Sequence, residues 1–176
     1  MHQIRYLGTN YEIFGELPSI GSRASDMSLV NIDLRDMTLG NWSGKRKILN
    51  IFPSIDTPIC AKSVIVFDQL SAGQEDLVML MISYDLPFAH VRFREQHKLE
   101  NVIQLSAIRH AGFGENYGVQ IMEGPLAGMF ARAIVVLDEN DTVVHRQLVE
   151  DIMDEPDYAA ALAALGIDAD MDLVCD

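Results

Sequence analysis

The sequence predicts an α/β fold with a central mixed sheet flanked by helices. Three observations carry this. The short apolar run Ile48 to Phe52 reads as a buried strand and leads into a helical stretch, Ala61 to Ala72. The run Leu77 to Ile82 is almost continuously apolar, as a central strand covered on both faces requires, and its place after a helix makes a βαβ unit. Ala133 to Leu137 and Thr142 to Val149 read as strands joined at Glu139-Asn140-Asp141, residues that favour a tight turn. A chain of 176 residues with 49% hydrophobic and 22% charged residues suits one globular unit with a real core.

From the N-terminus, Gln3 to Phe14 holds two short β-like runs around Gly8-Thr9-Asn10, which predicts a hairpin. Leu17 to Ser22 reads as a loop. Met27 to Ile32 alternates as a strand does, and Asp36 to Leu39 is a second short one. Asn41 to Lys45 reads as a turn, with Trp42 packed on the core. In the following helix Ile59, Ser63, Phe67 and Leu70 recur at spacings of three and four, a buried face. Pro87 to Gln96 is a candidate helix, Val102 to Leu105 a short strand, and Asp157 to Leu165 an Ala- and Leu-rich final helix after Pro156. Strand, helix, strand, then hairpin and helix is a thioredoxin-like order. The predicted domain spans residues 1–165, and residues 166–176 form a separate acidic tail.

The formal net charge of −13 speaks against nucleic acid, which is bound by Lys and Arg neutralising phosphates, and against an anionic membrane surface. No window is long and apolar enough to span a bilayer. Met1 to Asn10 lacks the apolar core of a secretory signal, so the expectation is a cytoplasmic protein. Two cysteines, one almost at the C-terminus, do not make a disulfide framework and fit a reducing compartment. His2, His90, His97, His110 and His145 show no paired metal-ligand spacing; His90 and His97 can share a helix face and read as solvated. Gly112-Phe113-Gly114 and the Gly124/Gly128 pair lack the strand-to-helix context of a phosphate-binding loop.

The chemistry concentrates in Pro53 to Cys60. Thr57 suits an N-cap and Pro58 a first helical position, which puts Cys60 third in the helix, where backbone N–H groups lack intrahelical partners. A thiolate there accepts those N–H bonds and meets the positive end of the helix dipole. Such surroundings lower a thiol pKa from about 8.5 to roughly 3.5–7.5. A cysteine is otherwise commonly a small buried hydrophobe, and the Thr-Pro cap at a strand-to-helix junction argues against that here.

Pro53, Thr57 and Cys60 have the spacing of the peroxiredoxin signature, and Lys47 to Thr57 resembles the thiol peroxidase (Tpx) subfamily. The resemblance continues through Asp85-Leu86-Pro87-Phe88-Ala89, Gly124 to Gly128 and Ala131 to Asp138, and reaches about Leu165. It implies a thioredoxin fold with an added N-terminal hairpin. It further implies a cysteine-dependent peroxidase that reduces hydrogen peroxide or organic hydroperoxides through a sulfenic acid, with no metal or organic cofactor. Cys60 is then the peroxidatic nucleophile. Thr57 offers its hydroxyl to sulfur or peroxide, Pro53 shields the sulfur from water, and Arg132 favours the thiolate. Without the resemblance, Arg132 would read as a solvated strand-end residue. Phe52, Ile59, Phe88, Phe93 and Met129 are candidates for an apolar entrance, although core packing is the commoner fate of such side chains.

The sequence departs from the family where it matters for recycling. Arg94 stands at the place of the resolving cysteine, so the usual intramolecular disulfide has no thiol there. Ser25 replaces a usual proline, with little expected consequence. The expectation is a one-cysteine mechanism with a thioredoxin-like protein or a small thiol as reductant, and the resemblance implies a homodimer. Cys175 is the alternative resolving thiol, against which the surrounding Asp168, Asp170, Asp172 and Asp176 weigh by disfavouring its thiolate. A peroxide sensor and a degenerate structural relative are the readings from other functional classes.

Overall fold

The computed structural model describes residues 2–168. The chain starts with a hairpin of β1 (His2–Tyr6) and β2 (Thr9–Phe14). Tyr6 pairs directly with Thr9, so the turn is Leu7-Gly8, both at positive φ, rather than the predicted Gly8-Thr9-Asn10. Of the two-residue hairpin turns whose twist matches the strands, the type I′ form has φ above zero at both central positions, and here Leu7 accepts it. β3 (Leu29–Asn31) and β4 (Asp36–Met37) are shorter than the alternation suggested, and a 3-10 turn at Leu39–Trp42 buries Trp42 as expected.

β5 (Arg46–Ile51), α1 (Pro58–Ser71) and β6 (Leu77–Ser83) form the predicted βαβ unit, with β5 and β6 parallel. α2 (Pro87–His97) leads to β7 (Val102–Ser106), parallel to β6. A short α3 (Gly112–Asn116) and β8 (Gln120–Ile121) follow, neither of which the sequence pattern announced. β9 (Ala133–Leu137), β10 (Val143–Leu148) and α4 (Tyr158–Ala163) complete the order. The side chain of Asp157 caps α4 by accepting from the Ala160 N–H.

The strands make a seven-stranded sheet in the order β10-β9-β5-β6-β7-β3-β4, and a second sheet of β1-β2-β8. The main sheet is mixed: β9 runs antiparallel to β5, and β3 antiparallel to β7. Alternate residues of each strand face opposite sides. Leu49, Ile51, Leu80, Ile82 and Val135 therefore join one core, while Ile48, Met79, Met81, Ile134 and Val136 join another beneath α1, α2 and α4. The α1 stripe is rotated from the expected one: Cys60, Ser63, Val64, Phe67 and Ser71 are buried, whereas Ile59 and Leu70 are half-buried. Ile4, Ile13, Ile121, Ala131 and Ile152 form a third cluster that seats the hairpin sheet on the body. That seating needs Gly118: a Cβ there would lie 2.2 Å from the Glu16 backbone, and its φ is +64°.

β5 and β6 end at the same level, since Ile51 pairs with Ile82. The loop after β5 and the residues after β6 thus meet at the carboxyl end of the parallel strands, where open α/β sheets bind ligands.

Candidate active site

The loop from Pro53 to Thr57 carries the chain from the buried β5 to the first turn of α1. Thr57 is the N-cap residue by backbone conformation, with Pro58 at the first helical position. Its side chain makes no cap bond, contrary to the sequence reading; the hydroxyl donates to the Ser54 carbonyl at 3.2 Å. Cys60 is fully buried.

Arg132 comes from the other side of the sheet ladder, immediately before β9. It is 2% exposed and holds an Nη2 hydrogen on Cys60 Sγ at 3.5 Å. Nε and Nη2 also donate to the Ile152 carbonyl, at 3.3 and 2.9 Å, which orients the guanidinium plane. Nη1 is buried and has no hydrogen-bond partner among the described residues. A buried guanidinium beside sulfur stabilises negative charge on the sulfur and on any oxygen attached to it.

A cavity of about 490 Å³ opens at this point. Pro53, Thr57 and Arg132 line it together with the apolar Ile59, Leu126, Met129 and Ile152 and with Tyr6 of the hairpin. The structure thus brings Pro53, Thr57, Cys60 and Arg132 to one place. Of the candidate apolar entrance, Ile59 and Met129 line the cavity, Phe52 and Phe93 belong to the core, and Phe88 is 66% exposed. Arg94 lies in the second half of α2, where Nε donates to the Leu99 carbonyl at 3.2 Å. Cys175 lies outside the described residues.

Sequence reasoning missed several residues here. Tyr6, Leu126, Ile152 and Met153 reach the cavity from three segments distant in the chain, and no local pattern connects them. Glu155 accepts from Lys62 at 2.6 Å and from the Tyr158 hydroxyl at 2.9 Å. Burial opposes its ionisation, yet these two hydrogen bonds prevail and hold its carboxyl below the usual range. Burial and the Glu155 bond together push the Tyr158 phenol up. Asp85 had a visible signal: a carboxylate just past the end of a central apolar strand sits where sites form in such sheets.

His90 also corrects the sequence reading. It is fully buried, not solvated, with Nε2 3.1 Å from Ser83 Oγ. Burial depresses its pKa to about 4, against the opposing pull of Asp85 and Asp56. His97, at one end of the same helix, is exposed, and its ring lies tilted against Phe93 with centroids 4.3 Å apart. Among the described residues, no group of three or more His, Cys, Asp or Glu is placed to hold a metal ion, and no helix is long and apolar enough to cross a membrane.

A buried cysteine on the first turn of a helix, an arginine on its sulfur and a sheet of thioredoxin type together define a thiol-dependent redox protein. Residues 19–162 match the Redoxin family. The chain is 48% identical to a thiol peroxidase of Mycobacterium bovis over 166 residues, covering 94% of this chain and 99% of that protein. It superposes on a peroxiredoxin-like protein from Aquifex aeolicus with a TM-score of 0.87 and 32% identity, covering 93% of this chain and 96% of the other. A thiol peroxidase from Chromobacterium violaceum gives 0.84 and 25% identity, with 93% and 95% coverage. The chain belongs to the thiol peroxidase subfamily of the peroxiredoxins and is a peroxidase.

Proposed function

We propose that the enzyme reduces hydrogen peroxide and organic hydroperoxides through Cys60, by a one-cysteine mechanism. The observation that carries this is the contact of Arg132 Nη2 with Cys60 Sγ at 3.5 Å beside the cavity. The Cys60 thiolate attacks one peroxide oxygen in line with the O–O bond. An S–O bond forms, the O–O bond breaks, and the leaving alkoxide or hydroxide takes a proton to become alcohol or water. Arg132 stabilises the charge that builds on the oxygens. Sulfur is oxidised to sulfenic acid and the peroxide is reduced by two electrons.

An external thiol then condenses with the sulfenic acid, releasing water and leaving a mixed disulfide. A second thiol displaces Cys60 and completes the cycle. Arg94 in place of a thiol on α2 supports an external reductant, a small thiol or a thioredoxin-like protein. A homodimer in the cytoplasm is the working form in this reading; the exposed Leu86 and Phe88 at the start of α2 offer apolar surface for it.

The test is intact mass after one equivalent of peroxide, with and without added thiol. Wild type gains one oxygen, which thiol removes, and Cys60→Ser consumes no peroxide. Near-normal peroxide consumption by Cys60→Ser sinks the assignment. A Cys60–Cys175 disulfide in good yield would replace the one-cysteine cycle with a two-cysteine one.

A further inference from the structure

Pro53 to Thr57 must hold its shape for Thr57 and the first turn of α1 to stay in place, yet it is an irregular loop with no ladder of its own. Its anchor is the Asp85 carboxylate, two residues past the end of the neighbouring β6. Ser54 Oγ donates to Asp85 Oδ1 at 2.8 Å, and the Ile55 N–H donates to Asp85 Oδ2 at 2.6 Å. Ser83 Oγ also donates to Oδ2, at 2.7 Å. That hydroxyl accepts in turn from the Asp85 N–H at 3.2 Å, and His90 Nε2 lies 3.1 Å away. With its single hydrogen given to Asp85, the hydroxyl can only accept from His90, so the Nε2–H tautomer of the neutral ring completes its valences.

The anchored residue organises the rest of the loop. Ser54 Oγ accepts the Asp56 N–H at 3.2 Å. The Ser54 carbonyl accepts both the Thr57 N–H and the Thr57 hydroxyl, each at 3.2 Å. A second tether joins the Arg92 guanidinium on α2 to the Asp56 carboxylate. It is open to solvent on both sides, so the half-hidden Asp85 is the stronger hold.

We infer that Asp85 is a positioning residue for peroxide reduction: through Ser54 it sets the Thr57 hydroxyl and keeps the loop closed over Cys60. The inference rests on Cys60 as the reacting thiol. A charged acceptor facing two loop donors cannot be replaced by an amide without turning a donor onto one of them or leaving one weakly bound. Displacements of about 1 Å in such a loop are enough to slow chemistry by roughly a hundredfold.

The experiment compares wild type, Asp85→Asn, Asp85→Glu and Ser54→Ala in two assays on the full chain. One is the second-order rate of Cys60 oxidation by hydrogen peroxide. The other is alkylation of reduced protein, read at the Cys60 peptide by mass spectrometry, with iodoacetamide and with a bulky polyethylene glycol maleimide. Asp85→Asn is expected to lower the peroxide rate by about tenfold or more and to raise the bulky-to-small alkylation ratio. Ser54→Ala should move both in the same directions by less, and Asp85→Glu should restore part of each. A purely structural role would lower the melting temperature and leave both readouts at wild-type values; that result overturns the inference. If Asp85→Asn fails to fold, Ser54→Ala decides, and unchanged rate and ratio in that variant overturn it equally. Alkylation is read without peroxide, so it judges Asp85 independently of the reaction. Failure of wild-type Cys60 to take up oxygen overturns the functional reading instead.

Discussion

Lys47 and Arg132 are both buried cations, at opposite ends of one strand ladder. Lys47 pairs with Leu137 at one end of β5 and β9, and Arg132 immediately precedes Ala133, which pairs with Ile51 at the other. Lys47 is fully buried, and its Nζ meets the Asp141 carboxylate at 2.6 Å and the Lys45 carbonyl at 2.8 Å. Among the described residues Arg132 has no carboxylate within salt-bridge distance; its partners there are a carbonyl and a sulfur, and Nη1 is left without one. Removing a charge from water is costly unless a partner compensates. Lys47 is compensated and pins the β9–β10 turn. Arg132 is compensated only in part, and its spare capacity points at the thiol. A buried cation that is fully paired belongs to the architecture, whereas one left partly unpaired beside a buried thiol is a candidate for chemistry.

The largest expected effect breaks the compensated site. Asp141→Asn keeps the shape and the tolerance for the positive φ of 63° found there, but leaves a buried ammonium without its counter-charge. It should lower unfolding free energy by about 3 kcal/mol in urea titrations, with the peroxide rate constant unchanged. Loss of activity without loss of stability would reverse the contrast.

His90 sharpens the comparison as a buried base that stays neutral. Its folded pKa of about 4 lies below the value of about 6.5 expected in the unfolded chain. As pH falls between these values the unfolded chain takes up the proton first. Stability is therefore fully present above about pH 6.5 and falls by up to about 3 kcal/mol on approach to pH 4. His90→Gln should flatten this part of the profile relative to wild type. An identical acid slope in the two proteins would assign the loss to other groups.

At the incompletely paired site the cost should be kinetic. Arg132→Met removes the donor on Cys60 Sγ and should slow oxidation by peroxide about a hundredfold or more. Stability should stay within about 1 kcal/mol of wild type, since an apolar chain of similar length replaces a buried charge. A normal rate in stopped-flow measurements removes Arg132 from the mechanism. The smallest effect is expected for Lys47→Met, which leaves the partly exposed Asp141 carboxylate to water and should cost under about 1 kcal/mol. A change in peroxide rate there would show that the two ends of the ladder communicate.

What the sequence determined by itself was local. The strand, the Pro53 to Thr57 loop and the start of α1 are contiguous, and their signals, an apolar run followed by Thr-Pro, act over a few residues. The same holds for the βαβ unit and the β9–β10 hairpin, whose turn is closed by Asp138 Oδ1 accepting from Asn140 and Thr142. Where local signals compete, tertiary packing decides between them. Asn10 is by type a better turn residue than Leu7, but burying Ile4 and Ile13 together in the third cluster sets a register in which Ile4 pairs with Tyr11 and Ile13 with His2, and this puts the turn at Leu7-Gly8. His90 looked solvated because nothing in its own helix shows that Ser83 and Asp85 wait beneath it. Arg132 was located by resemblance, since its meeting with Cys60 spans 72 residues of sequence. Burial, charge compensation and the assembly of the cavity from the hairpin, the loop after β5 and the segment before α4 depend on which strands lie side by side. That order is chosen by how all the apolar faces are covered at once, a property no single stretch of the chain contains.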